Sequence, residues 1–264
     1  MCDFDVSSSL KVLGANGGKK RGMELTSIQV SKSIVIDAGN IIDGLGDNIL
    51  NVNHIFITHT HLDHILDIGF LIDSTFDSRK EPLKVYGSKG SIENIKKHIF
   101  NWDIWPDFTT INLPDSSLKS LIFVELELNE QITVDNYTLK VIPNNHTKTS
   151  NGYVITKNNR SILLSSDTSV CSSIWDEVNT NSKISSVIID VSFPSSMEQL
   201  AFDSKHLTPK LLKNELSLLN REDVSIYISH IKPSFYEEVK NEIILLELLK
   251  NNGTIVTTNE IINF

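Results

Sequence analysis

Short apolar runs rich in Ile, Val and Leu recur along the chain, separated by clusters of Asn, Asp, Gly and Ser. Ser33 to Asp37, Val52 to Thr58, Tyr137 to Ile142, Ser161 to Ser165 and Ser185 to Asp190 have the length and β-branched content of buried strands. Ser225 to Ser229 and Thr254 to Thr258 continue the series. Helical periodicity is clearest in three places. Ser91 to Phe100 puts Ile92, Ile95 and Ile99 on one face, with Ser91 as the expected N-cap. Thr208 to Leu219 has Pro209 at the first helical position, then Leu211, Leu212, Leu216 and Leu219. Tyr236 to Leu249 stops before Asn251-Asn252-Gly253. Strands dominate early, helices fall between later strands, and neither a Pro-rich linker nor a fixed repeat interrupts them. The pattern predicts one α/β domain over residues 1–264, its sheets covered by helices.

Composition narrows the function more than the fold. With 40% hydrophobic and 22% charged residues, the 264-residue chain has an ordinary globular make-up. A formal net charge of −9 argues against nucleic acid or an anionic membrane as partner. A small anionic substrate stays admissible, because a bound dication reverses the sign locally. Cys2 and Cys171 give no disulfide framework. The start, Met1-Cys2-Asp3-Phe4-Asp5, is acidic where a secretory signal would be basic, and no segment reaches the roughly 18 apolar residues of a membrane span. The expectation is a cytoplasmic enzyme in a reducing compartment.

The chemistry concentrates where the run ending at Thr58 meets His59-Thr60-His61-Leu62-Asp63-His64. In extended chain, residues two apart point the same way, so His59 and His61 can grip one cation. Asp63 and His64 lie where the chain turns toward a helix and can serve a second. Imidazole with carboxylate suits zinc, and manganese or iron less selectively. Packing alone does not account for three histidines and an aspartate within six positions. His146, Asp167 and His230 each stand at or just beyond an apolar run, as does Asp37, and strand ends of α/β sheets are where sites collect.

In their order, these positions resemble the motifs of the metallo-β-lactamase superfamily. The resemblance implies an αββα four-layer sandwich with a two-metal hydrolytic centre. It implies that His59, His61 and His146 hold one metal, that Asp63, His64 and His230 hold the other, and that Asp167 bridges them. Asp37 would support the site without ligating. Further segments resemble the class II 3′,5′-cyclic-nucleotide phosphodiesterases: Lys97-His98-Ile99-Phe100-Asn101 with Ile104-Trp105-Pro106-Asp107-Phe108, then Val191-Ser192-Phe193-Pro194, His206-Leu207-Thr208-Pro209 and Ile228-Ser229-His230-Ile231-Lys232-Pro233. The stretch Ile65 to Ser74 departs from the fungal members, and their long insertions are missing.

The implied activity is hydrolysis of cAMP or cGMP to the 5′-monophosphate. Two divalent cations, Zn2+ foremost, would activate water and neutralise the phosphoryl oxygens. His206 is the expected general acid for the leaving 3′-oxygen, its alternative being a polar residue at the start of the Pro209 helix. Asp63 joins it as a catalytic side chain through its metal. A homodimer is compatible with such folds.

Other features carry less. Phe100, Trp102, Trp105 and Phe108 can stack on a purine, though such clusters more often fill a core. His98 reads as solvated, His54 as structural and Cys171 as a buried thiol. Leu13 to Lys20 is glycine-rich but fails as a phosphate loop, since Lys19 stands where the second glycine belongs; a turn after the first strand is expected. The competing functions are a tRNA 3′-processing phosphodiesterase, which would present a basic RNA-gripping insertion, and a non-catalytic metal-binding or cyclic-nucleotide-sensing protein.

Overall fold

A computed structural model describes residues 8–251 and 253–264. The acidic start with Cys2, and Asn252 of the expected helix stop, lie outside the described residues. The first half supplies strands β1 (Ser9–Gly14), β2 (Ser27–Gln29), β3 (Ile34–Ile36), β4 (His54–Phe56), β5 (Leu83–Ser88) and β6 (Leu121–Leu126). The second supplies β7 (Gln131–Val134), β8 (Tyr137–Ile142), β9 (Gly152–Lys157), β10 (Arg160–Leu164), β11 (Ile184–Asp190), β12 (Ser225–Ser229) and β13 (Ile261–Asn263). They form two sheets, ordered β13-β1-β2-β3-β4-β5-β6 and β12-β11-β10-β9-β8-β7. Strands β3 to β6 run parallel, as do β10, β11 and β12, and the remaining pairings are antiparallel.

The apolar runs are continuous because both faces of these strands are covered. Alternate side chains divide between layers. Ile34, Ile36, Phe56, Ile162, Leu164 and Ile188 point into the space between the sheets. Val35, Ile55 and Ile57 point outward against α1 (Ile41–Leu45) and, after the short α2 (Leu62–Ile65), against α3 (Asp67–Thr75) and α4 (Lys89–His98). Leu163, Val187 and Ile189 of the second sheet face α5 (Ser172–Thr180) and, beyond α6 (Glu198–Ser204), α7 (Pro209–Leu216) and α8 (Tyr236–Leu245). The result is the expected αββα sandwich. Among the described residues, no helix is long and apolar enough to cross a membrane.

Local chemistry corrects several boundaries. Ser88, not Ser91, caps α4: its Oγ accepts from Ser91 N, and Ser91 is buried inside the helix. Thr208 caps α7 with Pro209 behind it, as the sequence requires, but Ser217 closes the helix at Leu216. Helix α8 ends at Leu245, and Glu247 takes a left-handed φ of 52° just beyond it. Thr254 to Thr258 makes only an isolated bridge to Ile228, because Glu260 binds Thr254 Oγ1 and Thr257 N and folds the chain back at Asn259. The final strand is β13, paired with β1.

Phe56 stacks on Tyr86 at 4.3 Å and meets Tyr153 edge-on at 5.9 Å in the middle layer. Phe56→Ala is expected to destabilise the fold by about 3–5 kcal/mol, whereas Phe202→Ala, at an exposed position, should stay within about 0.5 kcal/mol. Urea unfolding midpoints of the two variants check this.

Candidate metal centre

The chain leaves β3, β4, β8, β10, β11 and β12 at one rim of the sandwich, and every candidate ligand lies there. His59 and His61 follow β4, Asp63 and His64 open α2, His146 follows β8, Asp167 follows β10 and His230 follows β12. Two groups result. His59, His61, His146 and Asp167 bring one ligand atom each within 4.8 Å of the others, and so do Asp63, His64 and His230.

Asp167 stands between them. Its Oδ2 is 3.5 Å from His59 Nε2 and 3.7 Å from His146 Nε2. Its Oδ1 is 3.3 Å from His64 Nε2 and 3.1 Å from His230 Nε2. Asp63 Oδ2 lies 3.5 Å from His230 Nε2. Facing imidazole nitrogens approach to 3.1 Å between His146 Nε2 and His61 Nδ1 and to 3.3 Å between His64 and His230. Two nitrogens bound to one tetrahedral zinc at about 2.0–2.1 Å would sit about 3.3 Å apart, so these spacings suit a shared cation. His59 Nε2 and Asp167 Oδ2 are buried without a hydrogen-bond partner, a costly arrangement that a cation would relieve. The residues present therefore fit divalent metal.

An outer set of hydrogen bonds turns the rings of His59, His64, His146 and His230 to aim one nitrogen inward. Asp37 Oδ2 accepts from His64 Nδ1 at 2.7 Å and from Thr58 Oγ1 at 2.8 Å, while Asp37 Oδ1 accepts from Thr58 N. Thr58 Oγ1 in turn sits 3.1 Å from His59 Nδ1. Lys205 O accepts from His146 Nδ1 at 3.0 Å. Ser192 Oγ meets His230 Nδ1 at 2.9 Å and donates to Asp190 Oδ1 at 2.7 Å. Both Asp37 oxygens are thus engaged by Thr58 and His64. Asp37, Ser166 and His230 hold positive φ at strand ends, which bends the chain toward the centre.

The roles of Asp190 and Ser192, which stand in segments the sequence already singles out, are what sequence reasoning missed. Asp190 ends its apolar run as Asp37 ends another, and that shared setting was the available signal. Asp190 Oδ2 accepts from His206 Nδ1 at 2.7 Å, so the His206 ring is held at the edge of the centre, 4.9 Å from the His146 ring and 5.3 Å from that of His230. His206 is buried, and Thr208 rather than His206 caps α7. Phe100 and Phe108 belong to the core, Cys171 is half-buried against Ser173, and His54 bonds Tyr86 OH.

Charge follows this geometry. Burial would lower His64 and His230, but Asp167 and the outer carboxylates outweigh it, holding His64 well above the usual imidazole range and His230 at about 9. Burial and the neighbouring His64 press His59 well below that range. Asp167 stays far below the usual carboxylate range despite burial, because His230 and His64 face it.

The glycine-rich turn packs against this centre. Asn16 Nδ2 donates to Ile231 O, Lys232 Nζ donates to Gly17 O, and a Cβ on Gly17 would lie 2.5 Å from His230 Cε1. Gly17→Ala is expected to displace His230 and lower bound metal, measured by elemental analysis. Gly18→Ala, whose Cβ would meet Pro233 Cδ at 3.2 Å, should retain it.

Residues 25–251 match the family described as cAMP phosphodiesterases class-II. A probable 3′,5′-cyclic-nucleotide phosphodiesterase from Yersinia pestis is 28% identical over 76% of this chain, which spans 64% of that protein's length. A 3′,5′-cyclic-nucleotide phosphodiesterase from Aliivibrio fischeri is 26% identical over 90% of this chain and 85% of its own. Ribonuclease Z sequences also align. Among solved structures, unliganded yeast PDE1 superposes with a TM-score of 0.76 at 19% identity over 97% of this chain and 99% of its own. The metallo-β-lactamase fold protein YhfI from Bacillus subtilis gives 0.74 at 15% identity over the same shares. Those two structures fix the fold. The match along residues 25–251 goes further, and the chain belongs to the class-II cAMP phosphodiesterases, a family of hydrolytic enzymes.

Proposed function

We propose that the protein hydrolyses 3′,5′-cyclic nucleotides, cAMP or cGMP, to 5′-monophosphates at a centre for two divalent cations, Zn2+ foremost. The supporting observation is Asp167, whose two oxygens face two separate histidine groups. His59, His61 and His146 would hold one cation, Asp63, His64 and His230 the other, with Asp167 shared. Bound there, the pair supplies an activated water and neutralises charge on the phosphoryl oxygens. The protein's own part is orientation and proton supply. Asp37, Lys205 O and Ser192 each engage an Nδ1, so that Nε2 is the nitrogen available for ligation once the ring is neutral. Asp190 Oδ2 accepts from His206 Nδ1 and orients the ring, so that Nε2, when the ring carries its second proton, protonates the departing 3′-oxygen as the P–O3′ bond breaks. A cytoplasmic location and a small anionic substrate suit this reading.

The ribonuclease Z relatives favour a second reading, cleavage of an RNA phosphodiester. The net charge of −9 weighs against it.

A panel of cAMP, cGMP, 2′,3′-cyclic nucleotides and a bis-aryl phosphodiester tests the proposal. Turnover of the 3′,5′-cyclic nucleotides is expected, and hydrolysis of the aryl ester alone would transfer the protein to the second reading. Chelation should abolish activity and lower the melting temperature, with both restored by Zn2+ or Mn2+. His206→Ala should keep its metal while kcat falls about 100-fold or more. Full activity at normal metal content would remove His206 from the mechanism.

A further inference from the structure

The histidines of the centre are aimed by bonds to their outer ring nitrogens. Asp167 is placed differently, since both of its oxygens face the imidazoles. Its side chain is short, so the carboxylate goes where the backbone carries it. That backbone has left the sheet: β10 ends at Leu164, and Ser166 takes a left-handed φ of 57° just before Asp167. One side chain grips this bend from both sides. Asn144 Nδ2 donates to Ser165 O and to Asp167 O, each at 3.0 Å. Asn144 Oδ1 accepts from Ser150 Oγ at 2.7 Å, and Ser150 Oγ accepts from Thr147 N at 3.0 Å. The carboxamide thereby uses both N–H groups and its oxygen. Asn144 follows β8, two residues before His146, and β9 lies between β8 and β10, so those two strands share no ladder. Beyond the sheet their loops meet, with Ser169 N donating to Asn145 O at 2.8 Å, and Asn144 makes the join at the bend itself.

We propose that Asn144 is the positioning residue for Asp167; the inference rests on the two-cation reading above. Its carboxamide is fully engaged, so it acts through Asp167 and does not itself ligate. By holding the carbonyls on either side of Ser166, it fixes the point from which one carboxylate reaches two histidine groups. A shared ligand tolerates little drift, because a shift toward one group lengthens the distance to the other. Asn144→Ala would take the donor from two carbonyls of buried residues and free the bend. Every histidine and aspartate of the centre would remain, with Asp167 no longer centred between the groups.

The test titrates the full chain with Co2+, whose visible absorption depends on the geometry of its ligands, and compares the parent with Asn144→Ala, Asn144→Asp and Asn145→Ala. Asn144→Asp keeps the shape of the parent side chain but loses both donors. Asn145→Ala removes the bond from an exposed neighbour in the same loop to Val170 O. The parent and Asn145→Ala should take up two Co2+ per chain with the same spectrum. Both Asn144 variants should keep the parent's circular dichroism, bind Co2+ about 10–100-fold more weakly and show altered visible bands. Parent-like affinity and bands in the Asn144 variants would overturn the assignment even if their melting temperature fell, and would leave the two-cation reading in place. An equal loss in Asn145→Ala, or failure of both Asn144 variants to fold, would overturn it too. Fewer than two Co2+ on the parent would remove the two-cation reading and the assignment together.

Discussion

The carboxylate of Asp167 is the interaction on which the rest depends. It is buried, it carries charge, and the imidazoles of His59, His64, His146 and His230 surround it. A charge so placed persists only where opposite charge and fixed dipoles compensate it. The sandwich meets that requirement by ending its parallel strands at one rim, where side chains from distant parts of the chain converge. Two layers of helices then seal the outer faces, keeping the sheets rigid enough to hold the ring of nitrogens.

The support of the centre is organised differently on its two sides. On the first sheet, a single carboxylate, Asp37, ties together Thr58 and His64 and, through Thr58, His59. On the second sheet, Asp190 ties together Ser192 and His206 and, through Ser192, His230. Each sheet thus contributes one acidic residue that never reaches the centre but fixes which ring nitrogens do. Replacing either would leave the ligand inventory intact and spoil its aim.

Much of this was legible from residue order. Strand runs such as Ile34 to Ile36 stand out because burial on both faces removes polar interruptions, and ligand-type side chains at their ends are too costly to be incidental. The roles of Asp190 and Ser192 escaped notice because a polar residue after a strand is ordinary, and only the three-dimensional return of His206 and His230 defines them. The same limit applies to Thr254 to Thr258, whose β-branched composition suits a strand while Glu260, further along, folds it back. Ser88 and Ser91 are equally good caps by composition; tertiary packing that buries Ser91 decides between them.

The ligand positions also bear on how the molecule is made. Residues 59 to 64 emerge from the first sheet, whereas His146, Asp167 and His230 emerge from the second, and β13, later in the chain than all of them, returns to pair with β1. Neither half can therefore assemble the ligand ring alone, and its closure requires contacts of long sequence separation, which form slowly. Completion of this His/Asp cluster is therefore coupled to the docking of one sheet on the other rather than to the growth of either. A nascent chain exposes the histidines near His59 long before their counterparts exist.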